Sequence, residues 1–188
     1  MAGGVRPVVG VVLAAGAGRR YGTPKVIAHQ GDWLRRAVVA LSAGGCDQVL
    51  VAMGAKVVDP PVGASVIRVE NWARGLSETV RAAVSAARTR GCVGMVLHVV
   101  DTPDVGPPVV ARVLAAAARR EDAVIRPVYN GQPGHPVYLG AAHLDGVLRS
   151  LTGDVGAGRY LRAHREIVTD VECGDLAGGA DHDEPDTP

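Results

Sequence analysis

Directly after an apolar run from Pro7 to Leu13, the chain reads Leu13-Ala14-Ala15-Gly16-Ala17-Gly18-Arg19-Arg20-Tyr21-Gly22-Thr23-Pro24-Lys25. The run has the length and character of a buried strand. Where it ends, small residues let the backbone turn tightly with its N–H groups pointing outward, and three permanent cations follow. Glycines cost conformational entropy and clustered cations repel one another, so a purely structural loop seldom carries both. A bound polyanion resolves both costs, because free N–H groups form an anion nest and cations neutralise phosphate oxygens. The stretch reads as a triphosphate cradle, with a glycine loop bearing surface arginines as the plainer alternative.

Two familiar glycine loops do not fit. The dinucleotide fingerprint needs a third glycine three residues after the second and then a helix; here Gly22 comes four after Gly18. The ATPase loop needs Gly-Lys-Ser/Thr opening a helix, whereas Pro24 precedes Lys25 and biases Thr23 to extended geometry. The stretch does resemble the signature of the MobA-like nucleotidyltransferases, Leu-Ala-(Ala/Gly)-Gly-x-x-x-Arg-x-Gly-x-x-Lys. Arg20 stands at its arginine, Gly22 at its second glycine and Lys25 at its lysine. That resemblance implies nucleotide binding by Leu13, Ala14, Ala15, Gly16, Gly18, Arg19 and Gly22, with Arg20 and Lys25 as catalytic cations.

At 188 residues the chain suits one domain with a substantial core. Its formal net charge of +1 argues against a nucleic-acid binder held by phosphate contacts. There is no Phe, so the core must come from Val, Ala and Leu. Cys46, Cys92 and Cys173 are odd in number and lack metal-ligand spacing; they read as reduced thiols of a cytoplasmic protein. Arg6 with Val8 to Ala15 has the outline of a signal peptide, but the cationic loop after it has no place in that reading. No apolar run approaches the ~20 residues that span a bilayer.

In order along the chain, Val26 to Ala28 reads as a short extended piece, and Asp32 as the cap of a helix with Leu34, Ala37, Val38 and Leu41 on one face. Gln48 to Met53 and Ser65 to Val69 read as strands. A helix from about Ser77 to Arg90 is expected to bury Leu76, Val80, Ala83, Val84 and Ala87. Val93 to Val100 is almost unbroken in its apolar character, the mark of a parallel strand covered on both faces. Pro107-Pro108 can open a helix through Arg120. Two β-prone pieces, Ala123 to Tyr129 and His135 to Leu139, flank a hairpin-like Asn130 to Gly134. Helices near Ala141 to Leu151 and through Arg165, then a strand from Ile167 to Glu172, complete one domain over residues 1–177, with an acidic tail over 178–188. Alternating strands and helices imply a parallel sheet with right-handed crossovers, and the resemblance implies a three-layer Rossmann-like α/β fold with a mostly parallel central sheet.

Ligands of open α/β sheets sit beyond the carboxyl ends of the strands, which gathers the cradle, Asn71 and Asp101. On spacing alone Asp101 reads equally as a turn former. Val100-Asp101-Thr102-Pro103-Asp104-Val105 resembles the family's metal segment, which implies Asp101 as a Mg2+ ligand; Asp104 reads as a turn residue. Asn71 to Arg81 resembles a further family segment and implies Asn71 and Ser77 at the nucleotide. Gly134-His135-Pro136-Val137 and Gly153-Asp154-Val155-Gly156-Ala157 resemble two more, implying substrate contacts at His135 and Asp154 against plain turn and cap roles. His98, on an apolar strand, reads as a core residue. The acidic tail resembles the family's closing metal segment in two registers, one through Asp181 and Asp183 and the other through Asp186 to Pro188, with a solvated terminus as the alternative. Asp183 is taken as the second metal residue.

The resemblance implies an enzyme that transfers a nucleotidyl group from CTP or GTP to a phosphorylated acceptor, with Mg2+ and loss of pyrophosphate. Ala15 occupies the position where the family's alanine form goes with CTP and its glycine form with GTP. Molybdopterin is the acceptor implied, with a molybdoenzyme as the receiving partner and neither nucleic acid nor membrane involved. A sugar or polyol phosphate is an alternative acceptor, and a non-catalytic nucleotide-binding maturation factor is an alternative role.

Overall fold

Every residue of β1 (Val8–Ala14) is buried, as are the first five of β4 (Gly94–Val99). The two pair in parallel, from Val8 opposite Gly94 to Leu13 opposite Val99. The computed structural model describes residues 4–18 and 21–182; Arg19, Arg20 and Asp183 lie outside the described residues. Beside β1 run β2 (Gln48–Met53) and then β3 (Ala64–Arg68), both parallel to it. Beyond β4 the direction reverses in β7 (Val137–Gly140) and returns in β5 (Val124–Tyr129). β8 (Val168–Glu172) lies parallel to β5, while the short β6 (Gln132–Pro133) pairs antiparallel with the end of β5. The sheet is therefore mostly parallel, as expected, with β4 near its middle.

Side chains alternate across the sheet. Val8, Val12 and Ala14 face a core shared with α1 (Asp32–Ala43) and α3 (Pro107–Ala117). Val9, Val11 and Leu13 face the other core, under α2 (Leu76–Thr89), α4 (Leu144–Ser150) and α5 (Gly158–Ala163). Three layers result, built almost wholly from aliphatic side chains. Tyr138 is the large exception, fully buried with its hydroxyl donating to the Arg120 carbonyl at 3.0 Å. The hairpin read at Asn130 to Gly134 forms with Asn130 (φ 51°) and Gly131 (φ 80°) both left-handed, the geometry a tight two-residue turn requires.

Four local expectations are not met. The piece read as extended is a 3-10 turn, Lys25–Gly31, interrupted at Ala28 to Gln30; His29 and Gln30 take left-handed φ, with the His29 ring stacked on Trp33. Asp32 does not cap α1. Its carboxylate binds Arg36 and Arg35 within the first turn, and the Arg36 hydrogen bond holds it below the usual carboxylate range. Leu76 is 43% exposed, because α2 begins with it and its side chain lines a cleft. Lastly α3 stops at Ala117, where Ala118 and Arg119 turn left-handed and bring Arg119 to Asp47.

Gly94 has the Tyr138 ring directly over its α-carbon, so a methyl there would collide with the ring. Gly94→Ala is expected to cost about 1–3 kcal/mol, the range for overpacking a filled core, as read from urea denaturation midpoints.

Candidate active site

The register between β1 and β4 brings together the two loops that follow them. After Ala14 the chain turns through Ala15 to Gly18, and Gly22 N–H closes back on the Gly18 carbonyl at 2.8 Å. Gly18 (φ 63°) is required twice over, by its left-handed backbone and because a β-carbon would run into the Thr23 carbonyl. The fold-back returns the chain to Lys25, whose Nζ donates to Asp101 Oδ2 at 2.6 Å. Their side chains are only 15% and 19% exposed. Little water reaches this pair, so each charge depends on the other for solvation, and losing one partner would strand its counterpart.

Two clefts open beside it on the α2 side of the sheet. The first, about 640 Å³, has the cradle residues Leu13 and Ala15 to Gly18 on one wall and Trp72, Leu76 and Thr79 on the other, with Asp101 at its end. Trp72 packs over Gly54, which itself lies against the Ala15 carbonyl. The second, about 530 Å³, has an aliphatic floor including Leu97 and Val137, and a polar rim of Arg126, His135, Arg162 and Asp181. Asp154 lines both. Its loop is pressed against the start of α2: Ser77 N–H donates to the Gly153 carbonyl at 3.0 Å, and a β-carbon on Gly75 would come within 2.5 Å of Asp154 Oδ1.

Of the residues expected at the site, Leu13, Ala15, Gly16, Gly18, Asp101 and Asp154 line the first cleft, and Lys25 joins through its ion pair. His135 lines the second, with Nδ1 3.4 Å from the Leu97 carbonyl; burial lowers its pKa, against the pull of that carbonyl, Asp181 and Asp101. Ala14 is buried on the opposite face of the sheet. The Gly22 N–H is consumed inside the loop. Asn71 is exposed and Ser77 buried; their neighbours Trp72 and Thr79 line the cleft instead. Trp72 lies one residue from Asn71 in the same recognised segment, a signal that could have found it. Arg126 and Arg162 carried none, each being one arginine among many in a sequence that alone does not say which face it occupies.

The tail reaches the site as well. His182 N–H donates to the Asp101 carbonyl at 2.9 Å, and the preceding Asp181 lines the second cleft. Asp181 and Asp101 both act electrostatically on His135, although eighty residues separate them in sequence. Among the described residues no group of three or more His, Cys, Asp or Glu side chains could hold a metal. Two carboxylates suit a Mg2+ that keeps several waters and takes further ligands from phosphates, so the donor set fits that ion when substrate supplies the rest.

A family model for the MobA-like NTP transferase domain matches residues 10–168. The chain belongs to that family. Nucleotidyl transfer is accordingly its class of activity. It is 29% identical to nicotine blue oxidoreductase from Paenarthrobacter nicotinovorans, over 94% of this chain and 92% of that protein. Among solved structures, an Rv0371c homologue from Mycobacterium sp. strain JC1 matches with a TM-score of 0.76 and 28% identity, covering 94% of this chain and 90% of its own. A Methanothermobacter nucleotidyl transferase superimposes with a TM-score of 0.72 at 20% identity, over 89% and 87% of the two chains, and so shares the fold. No helix among the described residues is long and apolar enough to cross a membrane.

Behind Asp101, His98 is fully buried with neither ring nitrogen hydrogen-bonded among the described residues; burial lowers its pKa to about 3. Unfolded, a histidine titrates near 6.5. The folded pKa is the lower one, so the unfolded chain binds the extra proton and stability falls as pH drops below about 6.5. His98→Leu is expected to remove about 2 kcal/mol of the stability lost between pH 7 and pH 5, measured by urea titration at both.

Proposed function

We propose that the chain transfers CMP from CTP to a phosphorylated small-molecule acceptor, with molybdopterin the preferred candidate, acting with Mg2+ in the cytoplasm. The observation that carries the reading is the Lys25–Asp101 pair at a glycine-lined cleft that shares Asp154 with a second cleft with a basic rim. In this reading the first cleft takes the nucleoside triphosphate and the second takes the acceptor. An oxygen of the acceptor phosphate attacks the α-phosphorus in line, the new P–O bond forms, and the bond to the β-phosphate oxygen breaks to release pyrophosphate. A phosphate monoester is already ionised at neutral pH, so no general base is needed. Catalysis is positioning and charge stabilisation.

Lys25 is held at the end of the cleft, where its ammonium can follow charge from Asp101 onto the triphosphate. Arg20 is assigned to the same phosphates and Asp183 to the metal, both outside the described residues. Asp101 and Asp181 would hold Mg2+, which supplies neutralisation of the facing phosphates. The small residues of the cradle admit the phosphate chain close to backbone N–H groups. Three buried, unpaired thiols support a reducing compartment.

The relative named nicotine blue oxidoreductase supports a second reading, in which the same cleft holds a nucleotide reductant and the apolar floor of the second holds a heteroaromatic acceptor. Pyrophosphate release from CTP with phosphorylated acceptors, against oxidation of a nicotinamide nucleotide with dye acceptors, separates the two. Lys25→Ala is expected to lower turnover by roughly 2–4 kcal/mol of transition-state stabilisation. A change below about half a kcal/mol would mean a surface role and reject the cradle.

Base choice is assigned to the part of the first cleft lined by Ala15 and Trp72. A purine needs more room there than a pyrimidine, and one methyl discriminates by roughly 1–3 kcal/mol. CTP is expected to outcompete equimolar GTP, and Ala15→Gly to regain part of the GTP reaction, as counted from the products. A GTP preference in the unmodified protein would reject the base assignment and leave the transferase class standing.

A further inference from the structure

Asp104, three residues beyond Asp101, has no place in the cradle or in either cleft. Its carboxylate nonetheless makes two long-range bonds: Oδ2 accepts the Gly178 N–H at 2.8 Å and the Gly179 N–H at 2.9 Å. Both donors belong to the segment after β8, which is fixed further back by Arg112. That guanidinium grips Asp175 with two nitrogens and also bonds the Glu172 carbonyl. Beneath the segment lies a small separate core of Val105, Val109, Tyr129 and Cys173, with Ala177 packed against it.

Gly179 is left-handed (φ 67°), and a β-carbon there would strike the Tyr129 ring. Tyr129 in turn donates its hydroxyl to the His135 carbonyl at 2.5 Å. The chain then crosses the mouth of β4, where His182 N–H bonds the Asp101 carbonyl and the His182 ring meets Trp33 edge-on at 5.5 Å. Residues 178–182 thus form a strap, with Asp104 at one end and Asp101 at the other. Asp181 sits between them, on the rim of the second cleft.

We propose that Asp104 is a positioning residue: by latching the Gly178–Gly179 backbone it sets the strap so that Asp181 is held beside Asp101 and His135. A carboxylate is suited to this work, since its lone pairs accept two adjacent N–H groups at once and one glycine can take the left-handed turn between them. The latch lies outside the reacting centre, and its effect on the site runs through five residues of chain. The meaning of Asp181 at the site rests on the transferase reading given above; the latch itself does not.

The test follows amide exchange by NMR and Mn2+ binding by electron paramagnetic resonance on the full-length protein. Asp104→Ala is expected to speed exchange at Gly178 and Gly179 at least about tenfold while β1 and β4 amides keep their protection. Asp104→Asn, whose amide oxygen still accepts N–H bonds, is expected to stay within about threefold of the parent. Asp104→Ala and Gly179→Ala should each weaken Mn2+ binding about three- to tenfold, and the double variant no more than the weaker single, because both act through one strap. Gly179→Ala dislodges the strap from the Tyr129 side, and so carries the test even where Asp104→Ala fails to fold. Unchanged Gly178 and Gly179 exchange in Asp104→Ala, or additive losses in the double variant, would overturn the latch. Parent protein without Mn2+ affinity would instead overturn the Asp101–Asp181 metal reading, which the exchange measurement does not use.

Discussion

The ion pair between Lys25 and Asp101 fixes how the rest of this site can be built. The two residues are far apart in sequence and meet because β1 and β4 are neighbours in exact parallel step, Leu13 opposite Val99. β1 ends at Ala14 and β4 at Val99, within one residue of the same level, so both following loops start together at one edge of the sheet. A shielded ammonium and a shielded carboxylate would each be costly alone; 2.6 Å apart they are mutually solvated. That pairing demands a loop short enough to return Lys25 to the β4 end, which is why the cradle folds back through Gly18 and Gly22.

The two faces of the sheet have separate tasks. On the α1 and α3 side the aliphatic core is closed, and of the polar groups on that face the Tyr138 hydroxyl is hydrogen-bonded while His98 is held neutral by burial. On the α2 side the sheet is left open at its carboxyl end, where α2 begins late and exposes Leu76. The Gly153–Asp154 loop fits against that helix start because Gly75 has no side chain. One acidic side chain therefore stands between the clefts, close to the positive end of a helix. The division lets the packed face carry stability while the open face carries contacts that must form and break.

Regular elements were legible in the sequence because their signal is repeated. β4 announces itself by an unbroken apolar run, α1 and α2 by recurring apolar positions, and the Asn130–Gly131 hairpin by two residues that tolerate left-handed backbone. The loop after β1 was legible for a different reason, namely that its small residues and glycines mark a tight turn at a strand end. What was hidden is of two kinds. Some of it is local but carries no repeated signal: His29 turns left-handed to stack on Trp33, and Asp32 answers to Arg36 in place of capping a helix, each across four residues. Asn71 and Trp72 differ by one step of a 3-10 turn, which swings one into solvent and the other over Gly54. Asp104 looked like a turn residue because its two partners lie more than seventy residues away.

The use of aromatic side chains follows from the same contrast. The chain has two Trp, four Tyr and no Phe, and regular layers of Val, Ala and Leu need none of them. Tyr138 lies within the sheet, and Tyr129 closes the end of β5. Tyr21 and Trp33 pack together where the cradle returns to α1, with Trp33 also meeting the strap at His182. Tyr129 supports the strap, Trp72 lines the first cleft, and Tyr160 ties α5 to His143 and His164. Irregular backbone has no repeating hydrogen-bond ladder to fix it, so one large, stiff side chain with few rotatable bonds does more there than several small ones. With so few aromatics, their positions mark the junctions where a loop has to be held in one shape, and three of the six, Trp33, Trp72 and Tyr129, border the first cleft or the strap.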